Sequence, residues 1–188
     1  SAELQNLFSE GINLLTYFGH SSANTLEFNL DDPYVYNNQG KYPLFIVNGC
    51  NAGNFFLYDT SRFSSSSQTL SEKYVLAKQR GSIGFIASTH YGIVNYLNIF
   101  TNSLYSSIAG AGYNTSIGEI EGMALKKLLE ITGSSDFYGR MHAEQITLHA
   151  DPALSIYPHL LPDYVVEDPQ IKITPGFVFV VDATFEIN

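Results

Sequence analysis

Two side chains in the 188-residue sequence combine a reactive group with a setting that can use it. His20 follows the apolar run 13–18 and Gly19, and Cys50 follows the apolar run 44–47 and Asn48-Gly49. A thiol beside an imidazole performs covalent acyl transfer: the sulfur attacks a carbonyl and the ring supplies or withdraws the proton. In an open parallel sheet, ligands bind beyond the carboxyl ends of the strands. If the two runs are neighbouring strands, ~4.8 Å apart, His20 and Cys50 enter one crevice. The backbone N–H groups of Ser21 and Cys50, just past the strand ends, are placed to stabilise an oxyanion. Set against this, free cysteine is among the most buried residue types and is usually inert, and a lone loop histidine is more often only a surface residue.

The elements that must hold these residues are legible as alternating types. Residues 2–10 read as a short helix stopped by Gly11. Residues 13–18, 44–47 and 81–87 read as buried strands, and their near-continuous apolar character suits a sheet covered on both faces. Between the first two strands, the polar stretch 20–43 carries turn signals and reads as a long loop. Helices are expected over 69–78, 93–108, 117–131 and 137–148, with a fourth strand at 154–157. Strands alternating with helices imply parallel pairing through crossovers. From Pro158 onward the composition changes: four prolines punctuate two β-like runs, 170–174 and 177–185. The expected organisation is an α/β domain over 1–158, then a linker and the start of a β-sandwich-like segment over 159–188.

Composition removes several function classes. Nine Lys and Arg against 18 Asp and Glu give a net charge of −9, the wrong sign and density for a phosphate-tracking surface, so no nucleic acid partner is expected. A single cysteine excludes an internal disulfide and any Cys-rich metal site. No stretch reaches the ~20 apolar residues of a membrane span.

Residues 14–56 resemble the gingipain-type cysteine peptidases, a family of the caspase-like clan. The likeness rests on Tyr17-Phe18-Gly19-His20 and on Val47-Asn48-Gly49-Cys50-Asn51-Ala52-Gly53. It continues through Gly81-Ser82-Ile83-Gly84-Phe85-Ile86-Ala87-Ser88-Thr89 and Ala150-Asp151-Pro152-Ala153-Leu154. The resemblance implies a caspase-like three-layer α/β/α fold with a mostly parallel sheet. It implies a secreted or cell-surface bacterial cysteine endopeptidase acting on proteins or peptides, with Cys50 as nucleophile and His20 as catalytic histidine. Ser88, Thr89, His90 and Tyr91 would line the substrate crevice, and no carboxylate stands among them to select Arg or Lys. No cofactor is implied; calcium, bound in some relatives, would be structural. The family usually carries glycine where Ser21 stands. Its catalytic unit also begins further upstream, so the chain is expected to be the C-terminal half to two-thirds of a catalytic domain.

Other readings compete. A sortase-like transpeptidase of the type IX secretion route shares the family pattern, and a pseudo-peptidase or surface interaction module would keep the fold without turnover. Gly19-His20-Ser21-Ser22-Ala23 imitates a nucleophile elbow, with Asp136 and His149 in the chain order of an esterase triad. The segment after it has no helical stripe, which an elbow requires. His142, His149 and Asp151 offer metal-ligand types, but two turns of one helix would separate the histidines by ~10.5 Å.

Overall fold

The computed structural model describes residues 2–27, 30, 32–57, 68–110, 115–156, 171–175 and 181–185. Helix α1 (Ala2–Glu10) leads into strand β1 (Leu14–Phe18), and a single 3-10 turn (Pro33–Val35) precedes β2 (Leu44–Asn48). Helix α2 (Leu70–Val75), strand β3 (Gly84–Ser88) and helices α3 (Val94–Gly110), α4 (Ile117–Thr132) and α5 (Phe137–Gln145) follow. Strand β4 (Ile146–His149) continues directly from α5. The sheet order is β1-β2-β3-β4; the first three strands are parallel and β4 runs antiparallel to β3. A separate antiparallel pair joins β5 (Ile171–Pro175) to β6 (Val181–Phe185), where the two β-like runs of the tail were expected. The proposed boundary near 158–163 lies outside the described residues.

Every residue of β2 and β3 is buried, because successive side chains point to opposite faces and each face carries its own core. Leu44, Ile46 and Ile86 pack with Phe100, Leu104 and Ile108 of α3 and with Ile117, Ile120, Ala124 and Leu128 of α4. Phe45, Val47, Phe85 and Ala87 pack on the other face with Phe8 of α1 and with Leu70 and Tyr74 of α2. These two cores make the three layers. Aromatic residues dominate the second: Phe8 stacks on Tyr36 at 4.1 Å, and Phe45 meets Tyr74 at 4.8 Å and Phe85 at 5.5 Å. Residues 32–43 of the long loop are therefore tied down, since Tyr36 is buried in this core. Buried Asn38 also exchanges two hydrogen bonds with the Gly81 backbone, of 2.8 and 3.2 Å.

The helices start where their caps dictate. Ser116 and Glu119 form a capping box on α4, and Asp136 accepts from the Gly139 N–H at the start of α5. Three sequence expectations need correction. The helix expected over 137–148 ends at Gln145, and Ile146–His149 is instead the fourth strand. Residues 154–156 of the strand expected at 154–157 are not strand, and Ser155 makes only an isolated bridge to Ser116; residue 157 lies outside the described residues. Strand β1 is only half-buried, with Phe18 46% exposed, because it lies at the edge of the sheet.

Glu121 on α4 is largely removed from water, and its Oε1 has no hydrogen-bond partner. Burial lifts its pKa from 4.5 to about 7. A carboxyl raised by folding contributes its full stability only when protonated, so stability falls as pH climbs from the unfolded value through about 7. Glu121→Gln is therefore expected to stabilise the protein on the order of 2 kcal/mol above pH 7, and to change little near pH 4. Urea denaturation at both pH values checks this; an equal shift at each would contradict it.

Candidate active site

The carboxyl ends of β1, β2 and β3 lie side by side, and three loops leave them in parallel. The register pairs Phe18 with Asn48, and His20 and Cys50 each stand two residues beyond those partners. The two candidate side chains thus leave adjacent strands at the same level. His20 is exposed and Cys50 partly buried.

Short backbone links hold the first two loops together. The Gly19 N–H donates to the Asn48 carbonyl (3.1 Å), and the Ser21 hydroxyl donates to the Cys50 carbonyl (2.8 Å). The Tyr17 hydroxyl braces the first loop from within by donating to the His20 carbonyl (2.7 Å). The chain then turns back, with Ser21 bridging Leu26 and the Glu27 N–H donating to the His20 carbonyl. No helix follows, so the elbow geometry of an esterase is absent. Asp136 is occupied as the α5 cap, and His149 pairs with Phe85 near the start of β3, at the other end of the strand from Ser21. Ser21, Asp136 and His149 do not come together.

Gly49 is buried where the loops meet. A Cβ there would stand 2.7 Å from the Gly19 carbonyl oxygen and 3.0 Å from the Ser21 Cβ. Beyond Cys50, Asn51 adopts a left-handed conformation (φ 59°), which asparagine tolerates better than most residues. That turn brings Gly53 against β3, where a Cβ would lie 2.8 Å from the Ala87 oxygen.

The third loop is held from both sides. Facing the cysteine loop, the Ser88 carbonyl accepts from the Gly53 N–H (2.9 Å) and the His90 carbonyl from the Asn51 N–H (2.8 Å). The Gly92 N–H donates to Cys50 Sγ at 3.4 Å. In the thiol form, Sγ–H points back at the Gly92 carbonyl at 3.8 Å. Facing α5, the Thr89 N–H and hydroxyl both donate to the Gln145 carbonyl (2.8 and 3.0 Å). The Gln145 side-chain Nε2 donates to the Tyr91 carbonyl (2.8 Å), and the Ile93 N–H donates to His142 Nε2 (2.8 Å). Residues 88, 90 and 92 thus bind one neighbour, and 89, 91 and 93 the other. Of the four residues expected to line the crevice, Ser88 is buried with its hydroxyl on the His90 carbonyl, and Thr89 is tied to Gln145. His90 and Tyr91 are exposed, their rings in edge contact at 4.6 Å.

His142 and Gln145 escaped the sequence reading as supports for this loop. No local pattern marked them: α5 has few apolar residues, and only the structure shows Gly139, His142 and Gln145, spaced by three, turned inward. Buried polar side chains must find partners. Burial lowers the His142 pKa, partly opposed by its hydrogen bond to the Tyr138 carbonyl and by Asp136. His142 lies on α5 and His149 on β4, so the single-helix metal pair is not formed. Among the described residues no group of His, Cys, Asp or Glu is arranged to hold a metal ion. Asp32 accepts from the Tyr34 N–H as a turn cap; Asp31 lies outside the described residues.

A mostly parallel sheet covered on both faces, with an imidazole and a thiol on adjacent strand ends, is the architecture of the caspase-like cysteine peptidases. The chain belongs to Peptidase family C25, whose family model matches residues 1–157. Three solved structures share the fold. The crystal structure of the Arg-specific cysteine proteinase gingipain R (RgpB) superposes with a TM-score of 0.70 and 18% identity, over 90% of this chain and 39% of that one. A complex of the Porphyromonas gingivalis RgpB pro- and mature domains gives 0.67 and 17%, over 81% and 36%. A third structure, described simply as a protease, gives 0.68 and 12%, over 94% and 42%. The chain therefore spans less than half the length of these solved chains. Comparison with curated proteins finds no match. No helix among the described residues is long and apolar enough to cross a membrane.

If Gly49 is the hinge on which the first two loops close, Gly49→Ala must force them apart. The expected cost is about 1–3 kcal/mol, as for other overpacked sites, measured by urea denaturation. An unchanged midpoint would show that the loops do not depend on this contact.

Proposed function

We propose that the protein is a cysteine endopeptidase in which Cys50 is the nucleophile and His20 the proton donor to the leaving amine. The observation that carries this reading is the level placement of the two residues, each two positions past the paired residues Phe18 and Asn48. Membership of Peptidase family C25 supports a protein or peptide substrate. The Cys50 thiolate attacks the scissile carbonyl, forming an S–C bond while the carbonyl oxygen takes up negative charge. The N–H groups of Ser21 and Cys50 are the proposed donors to that oxygen. The C–N bond then breaks, His20 gives its proton to the departing amine, and a thioester remains. His20 then takes a proton from the water that adds to the thioester, the S–C bond breaks, the new carboxyl terminus leaves, and the Cys50 thiolate and the His20 proton are both restored. Exposed His90 and Tyr91 form the near wall of the crevice. Residues 88–93 include no carboxylate, so nothing in this loop predicts selection for Arg or Lys. The family and the low-charge composition support a place outside the cell or at a bacterial cell surface.

The test uses an acyloxymethyl-ketone probe and peptide turnover in the full chain. Cys50→Ala should abolish labelling, and His20→Ala should lower turnover by about 10²–10⁴-fold. If wild-type Cys50 reacts no faster than a free thiol and no peptide is cleaved, the chain is an interaction module. A fluorophosphonate adduct on Ser21 would instead revive the esterase reading.

A further inference from the structure

The Cys50 thiol does not rest on its own loop alone. Its sulfur accepts the Gly92 N–H at 3.4 Å, and Gly92 lies between two residues that α5 grips. On one side the Tyr91 carbonyl takes the Gln145 amide (2.8 Å); on the other the Ile93 N–H enters His142 Nε2 (2.8 Å). The His142 ring is fully buried and stacks on Tyr96 of α3, with centroids 4.9 Å apart and planes 20° from parallel. Its Nδ1 faces the Tyr138 carbonyl at 2.7 Å. A carbonyl on one side and an N–H on the other leave only one arrangement that satisfies both. Nδ1 carries the hydrogen and Nε2 carries the lone pair, so the ring is neutral.

We propose that His142, together with Gln145, is a positioning residue for the Cys50 thiol, holding the Gly92 N–H on Sγ as the donor that stabilises the thiolate. The inference rests on the reading of Cys50 as nucleophile, but its physical content is separate. A hydrogen bond to the charged form of an acid favours that form. When Sγ loses its proton, the contact to the Gly92 carbonyl is lost and the contact to the Gly92 N–H strengthens. The N–H can do this only if residues 91–93 stay in place, and the two buried side chains of α5 keep them there. The dependence also has a direction in pH. A second proton on the His142 ring would set an N–H against the Ile93 N–H and release the loop. The titratable groups that act on the ring are Tyr96 of α3, stacked on it, and Asp136 at the start of α5, through its charge; Tyr138 meets it with its backbone carbonyl. Of these only Asp136 is charged at neutral pH, and it caps the helix.

Because Cys50 is the only cysteine, iodoacetamide alkylation followed by mass spectrometry reads this one thiol in the full chain. The rate is measured across pH 4–10. His142→Leu removes the acceptor for Ile93, and the midpoint of the alkylation profile should rise by about one unit, with a rate at pH 7 about tenfold lower. His142→Gln keeps an acceptor oxygen near the Nε2 position and should restore the wild-type midpoint. A role confined to packing would lower the melting temperature in both variants and leave the midpoint where it was. A folded His142→Leu protein with an unshifted midpoint overturns the proposal, as does a folded His142→Gln protein that fails to restore it. Should the leucine variant not fold, ¹⁵N NMR of the wild type decides. The proposal requires the Nδ1–H tautomer, and an Ile93 amide whose shift follows the ring's titration; the other tautomer or an independent amide overturns it. Peptide turnover is recorded in parallel. Absence of cleavage with the midpoint shift intact would defeat the peptidase reading and leave the positioning role standing.

Discussion

The stretch from Ser88 to Ile93 is the constraint on which the rest of the site depends. This segment turns its hydrogen-bonding groups to two sides, and both sides are occupied. The loop after β2 takes residues 88, 90 and 92, and the end of α5 takes 89, 91 and 93. Buried backbone groups without partners are costly, so this segment cannot move toward one neighbour without stranding groups on the other. The geometry follows from strand direction. Because β4 is antiparallel, it begins beside Ser88, at the edge where the three parallel strands end. The last turn of α5, which runs straight into β4, is thereby delivered behind the third loop. A parallel fourth strand would have sent that turn to the opposite edge.

The same reasoning explains why the first two loops are level. Parallel pairing fixes register along the whole strand, and a slip of one residue would reverse every side chain between the two cores. Leu44 and Ile46 belong to one core and Phe45 and Val47 to the other, so both cores resist that slip. The level at which His20 and Cys50 leave the sheet is set by apolar packing well inside it. Of the 13 Phe and 13 Tyr in the sequence, Phe8, Tyr36, Phe45, Tyr74 and Phe85 cluster here.

What could be read from the sequence was whatever is encoded locally. The runs ending at Phe18, Val47 and Ala87 announce strands by their own apolar content, and glycines mark where they turn. The stripe 117, 120, 124, 128 announces α4. Strand β4 carries no such mark. Ile146-Thr147-Leu148-His149 follows α5 without a glycine or proline, and only its pairing to Phe85–Ser88, some 60 residues away, makes it a strand. The support for the third loop was hidden for the same reason. His142 and Gln145 look like ordinary surface residues of a weakly amphipathic helix until the antiparallel strand brings them to the loop. Leu154 and Ile156 were misread in the opposite sense: their apolar character serves packing against the α3–α4 core and not a strand.

Ser21 stands where the resemblance to the family leads one to expect glycine, and its surroundings show how its side chain is accommodated. The resemblance expects glycine after the histidine, where a side chain threatens to crowd the oxyanion position. The Ser21 hydroxyl is instead turned onto the Cys50 carbonyl, and the Ser21 side chain packs over Gly49, where no side chain exists to oppose it. The two positions are complementary, since a residue larger than glycine at 49 would meet Ser21 and the Gly19 carbonyl together. The extra atoms at 21 therefore fill space beside the cysteine loop and add a bond between the two loops. Ser21 is a clasp between the histidine loop and the cysteine loop. With the α5 contacts holding the third loop, all three strand ends are joined by hydrogen bonds that run across the sheet as well as along it.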